Sequence, residues 1–408
     1  MKKTLLVLIM ALALLAAACG DSSGGDTTAG PADSGTATTA SSTGDSGTAT
    51  TAASPGDSGD SGDAMAGPAC TAGQTDGDLN LYNWSEYIDP ELITKFQDEY
   101  GVKVTEDFFP SNEDMFARVS NGNPGFDVVV PSDYMVAIMI DENLLLPLQK
   151  DALPNLANLA PEFSSGLPFD PDGAYSVAYQ WGTTGIGVNL DAMPENFEES
   201  WGLIFDPEMA SQFKGKISLL DDPRETMGAA LKYLGYSLNT TSETELAEAR
   251  DLLAATIDNV AAFDSDQFED LLVGGEVDIA HGYSGDFFAA FDGASTDDYD
   301  AWEHFYYFVP EEGGTRWVDN MAILADAPHP CTAHTFINFI LDAENGAALT
   351  NFNFYASPNQ AAEEFIDPEI LDDPAIYPPA DVLAKLELIR DTGDFEINYQ
   401  DYFTQAKG

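Results

Sequence analysis

The sequence predicts an α/β protein folded as two lobes, joined by crossing strands, with a cleft between them. Two observations carry that reading. Strand-like and helix-like segments alternate from about Asp78 onward, the pattern of a largely parallel sheet with crossover helices. A glycine-punctuated β run, Tyr179–Asn189, separates two such stretches and points to close backbone packing or a hinge.

The elements follow in order. Leu79–Asn83 reads as a strand. Asp89 and Pro90 open a helix as N-cap and first-turn proline, Leu92, Ile93, Phe96 and Tyr100 share its apolar face, and Gly101 stops it. Val102–Phe109 is a second strand. Met115, Phe116 and Val119 mark a short helix, and Phe126–Val130 a strand ended by Pro131. The second unit has a strand at Lys216–Leu220, helices from Pro223 and over Glu243–Thr256, and a strand at Val277–Ala280. Arg316–Leu324 is a further strand, and helices near Ala333–Leu341 and Pro379–Arg390 close the chain.

Composition narrows the function. The 408 residues include 70 Asp+Glu against 15 Lys+Arg, a formal charge of -55, and 44% are hydrophobic, enough for a core. Such a polyanion repels phosphate, so binding to nucleic acid or to an anionic lipid surface through basic patches is excluded. Capture of small cations stays open. The surface also repels itself unless salt screens it, which suggests a saline habitat.

The first residues indicate export. Lys2 and Lys3 precede an apolar run, Leu5–Ala18, too short to span a bilayer comfortably and suited to a signal peptide over residues 1–18. Leu15-Ala16-Ala17-Ala18-Cys19 resembles a bacterial lipobox, with cleavage before Cys19 and lipid on its sulfur. The other reading is an Ala-x-Ala cut with Cys19 incidental. Residues 19–76 then form a lipidated, low-complexity tether of Gly, Ser, Thr, Asp and Ala, too poor in large apolar groups to order itself. The lipid would be the only membrane contact. The remaining cysteines, Cys70 and Cys331, can form one disulfide in an oxidising exterior. Cys331 lies between His329 and His334 without a nearby carboxylate, so no metal is expected.

Four stretches put aromatics beside carboxylates at the strands. Trp84, Ser85, Glu86 and Tyr87 follow the first strand. Ser132, Asp133 and Tyr134 follow the Phe126 strand. Tyr283 and Asp286 follow the Val277 strand. Trp317 and Asp319 share one face of theirs. Asp222, Pro223 and Glu225 make a capping box, and both of its acids could also face the cleft. Together these residues suit an ammonium ligand: carboxylates accept its N–H groups, and aromatic faces attract its charge and pack its alkyl chain. Anionic ligands would need arginines, and only Arg224 and Arg316 lie in these stretches. No nucleophile elbow, zinc-protease helix, phosphate loop or dinucleotide fingerprint is present, and no cofactor or enzymatic activity is expected.

Leu81–Tyr87, Val130–Tyr134, Trp181–Asn189, Asp221–Glu225, Gly313–Asp319 and Tyr355–Asn359 occur in that order. In these pieces the chain resembles the polyamine-binding lipoproteins of spermidine/putrescine ABC importers. The resemblance implies a two-lobed periplasmic-binding-protein fold of type II, a protonated polyamine as ligand and an ABC permease as partner. It also implies a monomer outside the cytoplasm, anchored by lipid alone. It assigns Trp84, Tyr134 and Trp317 as walls. Ser85, Glu86, Tyr87 and Ser132 would hold one end, Asp319 an inner amine, Asp222 and Glu225 the far amine, and Tyr355 a side contact. Tyr283 stands where the family usually has tryptophan, Asp286 matches putrescine-preferring members, and Ile389 falls near a glutamine used by spermidine binders. Lobe 1 is expected over 77–183 and lobe 2 over 184–318, with 319–408 mainly completing lobe 1 with its C-terminal helices. Alternatives on the same fold are capture of another cationic or neutral solute, or a surface-tethered sensor or enzyme.

Overall fold

The computed structural model describes residues 69–408; the expectations for the signal peptide, Cys19 and most of the low-complexity tether lie outside them. Nine strands are described: β1 (Leu79–Asn83), β2 (Val104–Phe108), β3 (Val128–Val129), β4 (Ser176–Asn189), β5 (Ile217–Leu219), β6 (Val260–Phe263), β7 (Ile279–Tyr283), β8 (Phe305–Phe308) and β9 (Arg316–Ile323). They run in the order β2-β1-β3-β9-β4-β7-β5-β6, with β8 also on β4. β1 pairs in parallel with β2 and β3, and β5 in parallel with β6 and β7.

The long strand β4 belongs to both halves. Ser176–Thr183 pairs with β9, and Thr184–Asn189 turns to β7 and β8. The fold is therefore two-lobed, with β4 passing from one sheet to the next. Each sheet is covered on both faces. In the first, Leu81, Val128 and Met321 point to one core with Phe96 and Phe336, while Tyr82, Val129 and Ala322 point to another with Met115 and Met135. In the second, Ile279 and Ile186 meet Trp201 and Leu246, while Ala280 meets Phe268 and Phe287. This alternation is what period-two side-chain placement requires of a sheet buried on both faces.

Several boundaries differ from expectation. The Phe126 strand shrinks to β3 because Asp127 turns inward: its carboxylate accepts from Asn80 N (2.9 Å) and His329 N (2.6 Å). The Val277 strand instead runs over Ile279–Tyr283, which places Tyr283 within the sheet. The Pro379–Arg390 helix stops after Ala380–Leu383. Beyond it Glu387 joins the strand edge, its N–H donating to Gly314 O (3.1 Å) and its carbonyl accepting from Arg316 N (3.0 Å). Glu396–Lys407 is helical, and its Tyr399 and Phe403 pack with Ile217 and Leu246. The C-terminal helix thus covers the second sheet, although the 319–408 segment was expected mainly to complete the first lobe.

The tether expected up to residue 76 ends earlier. Cys70 is joined to Cys331 by a disulfide. Asp76 accepts from Cys331 N (3.2 Å) and Thr332 N (2.9 Å), capping from a distance the Pro330–Ile340 helix, whose own N-cap residue His329 makes no side-chain cap bond. His334 accepts from Gln149 N at 2.9 Å, so the Cys331 neighbourhood is committed to structure.

Candidate ligand-binding site

The carboxyl ends of β1, β3, β5, β6 and β7 deliver loops to one cavity of 340 Å³. That is where open α/β sheets bind ligands. The structure brings Trp84, Ser85, Glu86, Tyr87, Ser132, Tyr134, Asp222, Glu225, Tyr283, Asp286, Trp317, Asp319 and Tyr355 around it.

Its aromatic side is a continuous edge-to-face series. Tyr283 meets Trp317 at 6.0 Å and 88°, Trp317 meets Tyr355 at 5.1 Å and 67°, and Tyr355 meets Tyr87 at 5.2 Å and 78°. Glycine makes room for two of these rings. A Cβ on Gly182 would lie 2.6 Å from Trp317 Cζ2, and one on Gly285 would lie 2.6 Å from Tyr355 Cδ1. Trp84 is fixed by its indole N–H, which donates to Val130 O at 2.9 Å, and it packs on Phe109 at 4.5 Å. Glu86 takes a left-handed backbone (φ 55°), a conformation that costs energy in a non-glycine residue and turns the chain beside Trp84.

The acids differ in how far they are already engaged. Ser132 is the N-cap of the Asp133–Asp141 helix but makes no cap bond; its hydroxyl donates to Asp319 Oδ1 at 2.6 Å. Burial pushes Asp319 up to about 6. Asp222 caps the Pro223–Tyr233 helix, accepting from Arg224 N (2.8 Å) and Glu225 N (3.0 Å). The second half of the capping box is replaced: the Glu225 carboxylate accepts from Thr184 (3.1 Å) and Thr315 (2.7 Å). Burial and then the Asp222 charge raise Glu225 to about 8. Burial lifts Asp286 to about 7, partly opposed by the Tyr355 hydroxyl. Tyr134 donates to Glu113 at 2.9 Å.

Among the described residues no lysine, arginine or histidine lines the cavity. Arg224 turns away to Glu396 (2.6 Å) and lies 4.4 Å from the Tyr399 ring, and Arg316 stacks 4.6 Å over Trp181. His281 is packed against Trp201 in the core. The lining also contains residues absent from the expected set: Phe109, Pro110, Asn112, Asp133, the Ser265–Gln267 segment, Glu269, Asp270 and Ile389. Val260–Phe263 followed by Asp264, Asp266, Phe268, Glu269 and Asp270 repeats the strand-then-acid-and-aromatic pattern of the stretches at the ends of β1, β3 and β7. That signal was available had the short strand been read. Nine carboxylates therefore line one hollow: Glu86, Asp133, Asp222, Glu225, Asp266, Glu269, Asp270, Asp286 and Asp319.

Residues 91–378 match the model of the bacterial extracellular solute-binding proteins. The chain belongs to that family. A relative from Salmonella typhimurium, the spermidine/putrescine-binding periplasmic protein, is 37% identical over 346 residues, covering 84% of this chain and 96% of its own. Among solved structures, the substrate-binding protein PotD of a Streptococcus pneumoniae spermidine/putrescine ABC transporter superposes with a TM-score of 0.68 at 34% identity. The Tp0655 (TpPotD) lipoprotein of Treponema pallidum does so with 0.70 at 32%. Both cover 81% of this chain and 99% of their own. The family binds solutes for transport and does not transform them. No helix among the described residues is long and apolar enough to cross a membrane.

Proposed function

We propose that this protein captures a protonated polyamine of the putrescine or spermidine kind outside the cytoplasm and passes it to an ABC permease. One observation carries the reading: among the described residues, nine carboxylates and a chain of aromatic rings share a cavity with no basic side chain. Burying that much negative charge is unfavourable unless cations arrive with the ligand. An alkyl chain with ammonium groups meets both requirements, since methylenes pack on rings and each ammonium gains charged hydrogen bonds of roughly 1.5–3 kcal/mol. The names of the relatives support the same ligand class. In this reading Asp222 and Glu225 take one end, Asp319 an inner nitrogen, and Glu86 and Asp286 the other end. Lobe 1 extends to about Thr183 and lobe 2 begins at about Thr184, where β4 changes partner, so closure bends β4 and β9. Cys19 carries the lipid anchor, and a monomer delivers the ligand.

Calorimetry with putrescine, spermidine and a neutral sugar tests the proposal. Binding of at least one polyamine and none of the sugar is expected. Sugar binding without polyamine binding would overturn it.

A further inference from the structure

The loop after β6 contributes an acid that the expected site lacks. Asp264 accepts from Asp266 N (2.9 Å) and Gln267 N (2.9 Å), a local turn that leads into the Phe268–Val273 helix. The helix is anchored by Phe268, fully buried with its ring 5.8 Å from Tyr283 and 5.0 Å from Phe287. Glu269 follows and lines the cavity. Its Oε2 is buried and has no hydrogen-bond partner among the described residues, and neither has Ser265 Oγ in the same loop. A buried polar atom left unpaired costs free energy, and two in one cavity-lining segment, the loop and the start of its helix, point to a polar ligand. Glu269 also feels the charges of Asp286, Asp270 and Glu86, and Asp286 those of Glu86, Asp266 and Asp319, so Glu269 belongs to the same acidic field as Asp286 and Glu86. Burial, and then Asp286, push Glu269 up to about 8.

We propose that Glu269 is a specificity-determining residue, the third carboxylate beside Glu86 and Asp286 at one end of the cleft, selecting a primary ammonium there. This rests on the polyamine reading above. An ammonium presents three N–H donors, one for each acid. Charged N–H···O contacts need about 2.7–2.9 Å, longer than metal–oxygen bonds. Among the described residues no group of three or more His, Cys, Asp or Glu is placed to hold a metal ion. The same reasoning disfavours a ligand that ends in a hydroxyl or a methyl at this position, because it would leave the part-buried Glu269 and Asp286 without a compensating charge.

The test compares Glu269→Gln and Glu269→Asp with the unaltered protein by calorimetry against putrescine and spermidine, in two buffers of different ionisation enthalpy. Glu269→Gln should weaken binding of the tighter polyamine at least tenfold and release fewer protons on binding. Glu269→Asp, which keeps the charge, should recover part of the loss. Thermal unfolding checks that both variants fold; if the glutamine variant does not, the aspartate variant and the proton count of the unaltered protein decide. Affinity within twofold of the unaltered protein in every folded variant, or no proton release by the unaltered protein, would overturn the assignment. If the unaltered protein binds neither polyamine, the proposed function itself fails; if it binds and the variants match it, Glu269 alone is withdrawn.

Discussion

The two acidic ends of the cavity are built differently. At the Asp222–Glu225 end the carboxylates are already employed: Asp222 caps a helix, and Glu225 holds the hydroxyls of Thr184 and Thr315. At the Glu86–Asp286 end, Glu86 is exposed on a left-handed turn and Glu269 has an unpaired oxygen. The first end is fixed before any ligand arrives, because its geometry is part of the fold. The second is less engaged: the Tyr355 hydroxyl meets Asp286, while one Glu269 oxygen stays unpaired among the described residues. A preorganised end loses less freedom on binding and sets register, whereas a loosely held end tolerates variation in chain length. The aromatic series between them suits methylene groups in either case.

The largest expected effect lies between the ends. Asp319→Asn should weaken polyamine binding by about 2 kcal/mol or more, as expected when a buried ammonium loses its charged partner. Unchanged affinity in calorimetry would place Asp319 outside the ligand path and leave the two ends unconnected. Next, Asp286→Asn should cost about 1.5 kcal/mol of binding, the lower range for a charged hydrogen bond, with no loss of thermal stability. Asp222→Ala should instead lower the stability of the ligand-free protein by about 1 kcal/mol, the usual worth of an N-cap. If both variants changed the melting temperature alike, the contrast between a structural end and a free end would collapse.

The smallest effect is with pH. Burial raises Asp319 to about 6, Asp286 to about 7 and Glu225 to about 8. Unfolded carboxylates titrate near 4. A raised folded pKa contributes stability that is complete below the unfolded value and is lost as pH climbs through the folded one. The ligand-free protein should therefore melt at progressively lower temperature between about pH 5 and pH 8. Ammonium binds the ionised acids, so the ligand-induced rise in melting temperature should widen over the same window. A rise that shrinks with pH would contradict the placement of the charges.

Much of this was legible in the sequence where local chemistry and tertiary context agree. Asp89, Pro90 and Gly101 bound their helix as their residue types dictate, and Gly101 adopts the left-handed φ of 68° that stops it. Three of the acid–aromatic stretches lie at or just past strand ends, and Trp317 and Asp319 lie within β9, on the cavity. Legibility fails where distant partners override local preference. The Ala384–Arg390 segment has helical composition, yet Glu387 is drawn into the edge of β9. Asp127 interrupts an apolar run because its partners, Asn80 and His329, lie far away in sequence. Glu269 is hard to place from sequence because the strand before its helix, Val260–Phe263, is only four residues long and gives a weak pattern.

Gly182 and Gly285 give the cavity a property separate from its charges. The planes of Trp317 and Tyr355 are set by atoms that are missing from the backbone behind them. One methyl group added at Gly182, a residue outside the cavity lining, would collide with the Trp317 indole and shift that ring. Bore width is thus adjustable from behind the wall, by a change that alters no group a ligand touches.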